Sequence, residues 1–320
     1  MGNRSDNMEQ KQRVQRRAVH GMVLLDKPLG LSSNQALQKA KWLLRAQKAG
    51  HTGTLDPLAS GVLPLCFGAA TKFSQLHLDA DKTYDAVALL GITTSTGDAE
   101  GARVSERPVV VDAQAVQRVQ AQFTGPIVQT PPMHSALKKD GKPLYEYARA
   151  GIEVEREPRN VTIHALQLVL HEQDGVASLH MRVRCSKGSY IRTLAQDIGE
   201  ALGCGAHLSG LRRIETGGFL LDDCVTLEAL EQMSESDRLL QMRPVETLLR
   251  DHVPVTLLAP DAGRFLSGVR RRGAWLDNPR VAVFGQSPHA LLGTAHVRAG
   301  ELIPDRLLSP LEIEQTLAGH

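Results

Sequence analysis

The stretch Gly50-His51-Thr52-Gly53-Thr54-Leu55-Asp56-Pro57-Leu58-Ala59-Ser60-Gly61-Val62-Leu63-Pro64 holds a single carboxylate between glycines and prolines. Gly50, Gly53 and Gly61 permit backbone conformations and close approaches that a Cβ blocks. Pro57 fixes its own φ and drives Asp56 toward an extended conformation. Leu55 and Leu58 flank the acid with apolar surface. An Asp-Pro pair by itself starts turns, its carboxylate accepting a backbone N–H. Here the histidine, the glycines and the following Gly-Val-Leu-Pro call for more than a turn. The segment reads as a rigid mount for Asp56.

Periodicity around that mount predicts a mixed α/β chain. Met22 to Leu25 is a short apolar strand. Ser33 is placed to cap a helix with Leu37, Ala40 and Leu44 on one face. A second helix starts near Asp112, carries Val116, Val119 and Phe123 at helical spacing, and closes at Gly125. Tyr84 to Gly91 reads as a buried strand. Val161 to Leu170 and Ala177 to Cys185 read as strands joined through Asp174-Gly175, a hairpin signal. In the second strand Leu179, Met181, Val183 and Cys185 alternate with His180, Arg182 and Arg184, which predicts one apolar and one basic face. A helix follows, with Ile191, Leu194, Ala195, Ile198 and Leu202 inward, and ends at Gly203. The order lacks a regular βαβ repeat, so the sheet is expected to be mixed and largely antiparallel. Thr226 to Arg250 is acidic amphipathic helix. Beyond Asp251 come short β runs (Val253 to Leu258, Val281 to Phe284, Leu291 to Val297) and one helical stretch near Asp261 to Leu266, a texture that suggests a small β-barrel.

At 320 residues the chain has room for two domains. It contains no apolar run of the roughly 20 residues a membrane span needs, so no membrane role is expected. Met1 to His20 is polar, carries Arg4, Lys11, Arg13, Arg16 and Arg17, and lacks the apolar core of a secretory signal. It reads as a flexible basic arm on a cytoplasmic protein. Cys66, Cys185, Cys204 and Cys224 show no metal-site or disulfide spacing. With 37 basic and 35 acidic residues the net charge is only +2. Nucleic-acid binding therefore has to rest on local clusters, such as Lys138, Lys139 and Lys142; Arg182, Arg184, Lys187 and Arg192; Arg212 and Arg213; and Arg270 to Arg272. There is no G-x-G-x-x-G, complete P-loop or H-E-x-x-H. Ser135-Ala136-Leu137-Lys138 fits the S-x-x-K of serine acyl-transfer enzymes, but the S-D-N and K-T-G elements such enzymes need are missing.

Six ordered motifs, spanning roughly residues 21 to 215, resemble the bacterial tRNA pseudouridine synthase B family, which isomerises uridine 55 in the T-loop of tRNA. They are Asp26-Lys27-Pro28-Leu29-Gly30-Leu31-Ser32-Ser33; the Asp56 mount continued through Leu65-Cys66-Phe67-Gly68-Ala69-Ala70-Thr71-Lys72; Lys82-Thr83-Tyr84; Thr96-Gly97-Asp98-Ala99-Glu100-Gly101; Gln129-Thr130-Pro131-Pro132-Met133-His134-Ser135-Ala136-Leu137-Lys138; and Cys185-Ser186-Lys187-Gly188-Ser189-Tyr190-Ile191-Arg192-Thr193-Leu194. The resemblance implies a pseudouridine synthase fold for residues 21–250, with an RNA-gripping insertion at about 130–160, and a PUA-like RNA-binding β-barrel domain for 251–320. It also implies an isomerase that needs no cofactor and no metal, because the reaction moves no electrons and no phosphate.

Such chemistry needs a carboxylate that stays charged where water is excluded. Burial disfavours a carboxylate's charge and a nearby guanidinium restores it. Arg192 is the expected partner of Asp56. Early in a helix a cation opposes the macrodipole, so its place there is unfavourable unless an acid faces it; the alternative is a solvated helix residue. By resemblance, Tyr84 stacks on the target base and takes part in proton transfer, although a strand tyrosine unaided reads as core. Tyr190 and Leu211 line the pocket for the flipped nucleotide, and His51 fills the gap left by base extrusion. Lys138, Lys139 and Lys142, with Arg182, Arg184 and Lys187, are expected to contact RNA phosphates. The expected partner is the T-arm of tRNA, without guide RNA or obligate protein partner. A non-catalytic tRNA chaperone on the same scaffold is the competing reading, and the presence of Asp56, Tyr84 and Arg192 argues against it.

Overall fold

The computed structural model describes residues 15–319. Most of the expected basic arm, Arg4, Lys11 and Arg13 included, lies outside the described residues. Within that expected arm, the chain from Arg17 to His20 is tied to the fold rather than trailing. The Arg17 N–H donates to Arg45 O at 2.8 Å, and Val19 and His20 are buried.

In chain order, β1 (Gly21–Lys27) leads to α1 (Ser33–Leu43), and β2 (Ala49–His51) and β3 (Ala59–Phe67) bracket the Asp56 mount. Next come β4 (Lys82–Leu90), a side hairpin of β5 (Ile92–Thr94) and β6 (Arg103–Glu106), α2 (Ala113–Gln122) and β7 (Gly125–Gln129). A second small hairpin, β8 (Lys138–Lys139) and β9 (Lys142–Pro143), precedes α3 (Leu144–Arg149). The long hairpin of β10 (Arg159–Gln173) and β11 (Val176–Cys185) follows, then α4 (Ile191–Ala201), β12 (Ala206–Thr216), β13 (Phe219–Leu220), β14 (Val225–Thr226), α5 (Leu227–Gln232) and α6 (Glu235–Leu240). The main sheet runs β14-β1-β3-β12-β4-β11-β10-β7, with β2 paired to β3 and β13 to β12. Only the β1–β14 and β3–β12 pairings are parallel, so the sheet is mixed and largely antiparallel, as the sequence predicts.

Strand periodicity places the core. On β4, Lys82, Tyr84, Ala86, Ala88 and Leu90 face inward; on β11, Leu179, Met181, Val183 and Cys185 do. Against this face pack Ala36, Leu37 and Ala40 of α1 with Leu194, Ala195 and Ile198 of α4. Asp174 and Gly175 both take positive φ (52° and 76°), the geometry of a tight hairpin turn that matches strand twist. The cap of α1 is Ser32, not Ser33: the Ser32 and Gln35 side chains form a capping box.

The last quarter folds as β15 (Val253–Leu257), α7 (Ala259–Leu266), β16 (Arg271–Arg272), β17 (Asn278–Gln286), β18 (His289–Arg298), β19 (Glu301–Leu307) and α8 (Pro310–Leu317). Its sheet order, β15-β17-β18-β19-β16, runs from one end to the other without closing. An open five-stranded sheet thus stands where the sequence suggests a barrel. Neither β19 nor α8 is signalled in the sequence reading.

The two sheets share a buried cluster in which Met22, Leu24, Val62 and Cys66 meet Ala282, Leu291 and Leu308. Lys72 Nζ reaches across to Glu312 at 2.6 Å and to Leu307 O at 2.9 Å. In consequence every residue of β3 is buried. No helix among the described residues is long and apolar enough to cross a membrane.

Candidate active site

The loop between β2 and β3 is pinned from several sides. Ser33 Oγ accepts the Leu55 N–H at 2.7 Å and donates to Leu55 O at 2.9 Å, in a buried setting. The Ala59 N–H donates to Asp56 O at 3.0 Å, and Gly30 N–H to Pro57 O at 2.8 Å. Gly53 has φ +74°; Gly61 has φ +104° and lies so close to β12 that a Cβ would sit 2.1 Å from Arg213 O. These two glycines are required. Gly50 is not: it has open space around it and no positive φ.

Asp56 emerges from this mount with Oδ2 2.9 Å from Arg192 Nη2. Arg192, in the first turn of α4, is 6% exposed. Its Nη1 meets Asp98 Oδ2 at 3.1 Å, and its Nη2 also donates to His134 O at 2.6 Å. One guanidinium thus ties together the Asp56 mount, the β5–β6 hairpin turn and the segment leading to β8. A cation in the first turn opposes the helix dipole; two carboxylates answer it. Asp98 is itself fixed by Thr96 Oγ1 at 2.5 Å and the Glu100 N–H at 3.1 Å.

Asp56 and Arg192 stand on the wall between two cavities. One, of about 260 Å³, is lined by Tyr84, Tyr190, Leu211, Lys82 and Arg213. The other, of about 510 Å³, is lined by His51, Asp98, His134 and Tyr145. The structure therefore gathers Asp56, Tyr84, Arg192, Tyr190 and Leu211 around one hollow and puts His51 on the far side of the carboxylate. Burial raises the Tyr84 phenol pKa, and the Arg213 guanidinium pulls against that rise. Burial, and secondarily Arg213, lowers the His51 pKa, and the buried His51 Nδ1 has no partner among the described residues. Lys27 is pushed down to about 8 by burial, with Asp56 acting upward and Arg213 downward. Tyr190 is held by its backbone, its N–H donating to Gln129 Oε1 at 3.1 Å.

The expected phosphate contacts divide into two groups. Lys138, Lys139 and Lys142 are exposed on the β8–β9 hairpin, whose turn is Asp140-Gly141, both at positive φ. The expectation of a basic outer face on β11 needs correction. Arg182 forms a forked pair with Asp85 at 2.7 and 2.8 Å, Arg184 meets Asp81 at 3.5 Å, and Lys187 meets Asp79 at 2.9 Å. Acids on and just before the neighbouring strand neutralise that face. Arg212 and Arg213 also part company: Arg212 pairs with Asp26 at 2.7 Å, whereas Arg213 is buried.

Comparison with known proteins decides the family. The model of the TruB family pseudouridylate synthase N-terminal domain matches residues 41–191, and that of the tRNA pseudouridylate synthase B C-terminal domain matches 192–250. The tRNA pseudouridine synthase B of Verminephrobacter eiseniae is 64% identical over 312 residues, 96% of this chain and 94% of that one. The chain belongs to the TruB pseudouridine synthase family. Its Cupriavidus pinatubonensis relative, also called tRNA pseudouridine synthase B, is 58% identical over 303 residues, covering 92% of this chain and 96% of that one. Among solved structures, that of a Cbf5-Nop10-Gar1 complex matches with TM-score 0.68 and 25% identity over 95% of this chain and 89% of the other. An H/ACA RNP bound to a substrate RNA containing 2′-deoxyuridine matches with TM-score 0.66 and 23% identity, covering 91% and 86%.

Within this TruB-family site, three residues escape the sequence reading. Asp98 was visible only as part of a motif, without a role. Ser33 reads as a helix cap and instead braces the residue before Asp56. Arg213 reads as half of a basic cluster for nucleic acid and instead is buried in the pocket lining.

Proposed function

We propose that this chain isomerises a uridine of tRNA to pseudouridine, specifically uridine 55 in the T-loop, acting without guide RNA or obligate protein partner in the cytoplasm. The observation that carries the reading is the Asp56–Arg192 pair at 2.9 Å, opening onto the hollow lined by Tyr84, Tyr190 and Leu211. Relatives of this identity are named for tRNA pseudouridine synthesis, which supports the substrate class. A cavity of about 260 Å³ suits one nucleotide, and a loop base must leave its stack to reach it.

In this reading Asp56 is the group that engages the reacting nucleoside, and Arg192 orients it through a second anchor on Asp98. The target base stacks against Tyr84, between Tyr190 and Leu211. His51, with its unpartnered Nδ1, fills the space vacated in the loop. Residues 21–250 form the catalytic unit, with its insertion at about 130–160 presenting Lys138, Lys139 and Lys142 to the backbone. Residues 251–320 form a PUA-like RNA-binding unit, supported by the five-stranded sheet.

The test is incubation with unmodified tRNA transcript, then with an isolated T-arm stem-loop, followed by chemical mapping of pseudouridine. Wild type is expected to modify both at the T-loop uridine. Asp56→Asn is expected to modify neither while binding both as wild type does. Turnover by Asp56→Asn, or a requirement for added guide RNA, would overturn this reading.

A further inference from the structure

Arg213 heads the fully buried side chains of this protein and is 1% exposed. Its Nε donates to Val62 O at 2.8 Å and its Nη2 to Gly53 O at 3.0 Å. Among the described residues no carboxylate forms an ion pair with it, whereas Arg192 has two. A buried cation is costly to desolvate, and here only two backbone carbonyls, with no acid, answer it. Such a group is kept where its charge or its fork of donors does something else.

Its place suggests what. The β4–β12 register sets Arg213 opposite Tyr84, both on the inward face, and both line the same hollow. Gly53, its other partner, lies three residues before Asp56. At Gly53 an added Cβ would stand 3.3 Å from Arg213 Nη1, so the fork is closely fitted to this loop. One cation therefore holds the Gly53 wall of the pocket while standing opposite Tyr84 on the other. A lysine, with one nitrogen, cannot span them.

We propose that Arg213 is a positioning residue for the reaction, clamping the Tyr84 phenol to the Gly53 end of the Asp56 mount so that ring and carboxylate keep a fixed spacing as the nucleotide enters. The proposal rests on reading this hollow as the site of pseudouridine formation. Electrostatics agree with the geometry. The other groups facing the phenol, Cys185 and Asp56, act to raise its pKa, and Arg213 acts against them; Lys82 lines the same hollow but spends its Nζ on Leu78 O and Ala80 O.

The experiment compares full-length wild type, Arg213→Lys and Arg213→Met labelled with ζ-carbon-13 tyrosine. Four tyrosines give four signals, and Tyr84→Phe assigns one. In Arg213→Met the Tyr84 signal is expected to move and its titration midpoint to rise, with Tyr145 and Tyr147 unmoved. Single-turnover conversion of tRNA transcript at saturating enzyme should fall on the order of 100-fold, tRNA affinity staying within about threefold. Arg213→Lys should bring the titration midpoint back toward wild type but leave conversion slow by about tenfold or more. An unmoved Tyr84 signal, or a loss confined to tRNA affinity, overturns the proposal. If Arg213→Met does not fold, Arg213→Lys decides, and wild-type conversion by that variant overturns it. Wild-type protein that makes no pseudouridine overturns the functional reading instead, and this proposal with it.

Discussion

Ser33→Ala isolates the bracing of the Asp56 mount from its chemistry. Ser33 is 1% exposed and its hydroxyl serves both backbone groups of Leu55, at 2.7 and 2.9 Å. The alanine leaves a buried N–H and a buried carbonyl without partners, each costing about 1–3 kcal/mol. With some relaxation the sum is on the order of 2–4 kcal/mol. At about 2.1 cal/mol/K per residue, a chain of 320 residues has an unfolding entropy near 0.67 kcal/mol/K, so Tm should drop by about 3–6 °C. The larger consequence is positional. Leu55 precedes Asp56, and a displacement of about 1 Å at a reacting group costs on the order of 100-fold in rate. Calorimetry and single-turnover pseudouridine mapping on tRNA transcript measure the two effects. Binding should be unchanged, because Ser33 offers RNA nothing. A variant that melts within about 1 °C of wild type and turns over normally would refute the bracing argument.

Two further outcomes follow from surface and helix electrostatics. Replacing Lys138, Lys139 and Lys142 together by alanine should flatten the salt dependence of tRNA affinity by about 2–3 in log–log slope while sparing turnover at saturation; an unchanged slope removes the hairpin from the interface. Burial, with Glu200 one turn away, raises Asp197 of α4 to about 6 from 3.8. The folded state holds that proton to higher pH than the unfolded chain, so this stability is present below pH 3.8 and lost as pH rises through 6. Asp197→Asn should therefore resist urea better at pH 7.5, by about 1 kcal/mol once solvent screening of this half-buried group is counted, the advantage closing as pH falls toward 4. An advantage that ignores pH would show that charge is not its cause.

What the sequence made legible was local. The β10–β11 hairpin follows from period-two alternation around Asp174-Gly175, and α4 from its apolar stripe ending at Gly203. The Asp56 mount follows from glycine and proline constraints within fifteen residues. What escaped depends on pairings made at a distance. Nothing near Arg182 or Arg184 announces that Asp85 and Asp81, about a hundred positions earlier, will neutralise them; strand register decides it. Adjacent arginines at 212 and 213 look alike until the sheet sends one outward to Asp26 and the other inward to Tyr84. Ser32 and Ser33 compete for one cap, and only the incoming Leu55 backbone gives the second serine a different task. The open five-stranded sheet completes itself against β3, and α8 against β18 and the Gly68–Lys72 turn, rather than by their own periodicity, so their sequence alone was a weak guide.

The strand that runs on from Asp56 has no side facing water, because the C-terminal sheet covers what the main core leaves bare. A chain cut near residue 250 would leave Met22, Val62 and Cys66 as an oily scar along the strand that carries on from Asp56. The final seventy residues are therefore part of the foundation beneath the Asp56 mount, and exchanging them for any other module would mean rebuilding that foundation first.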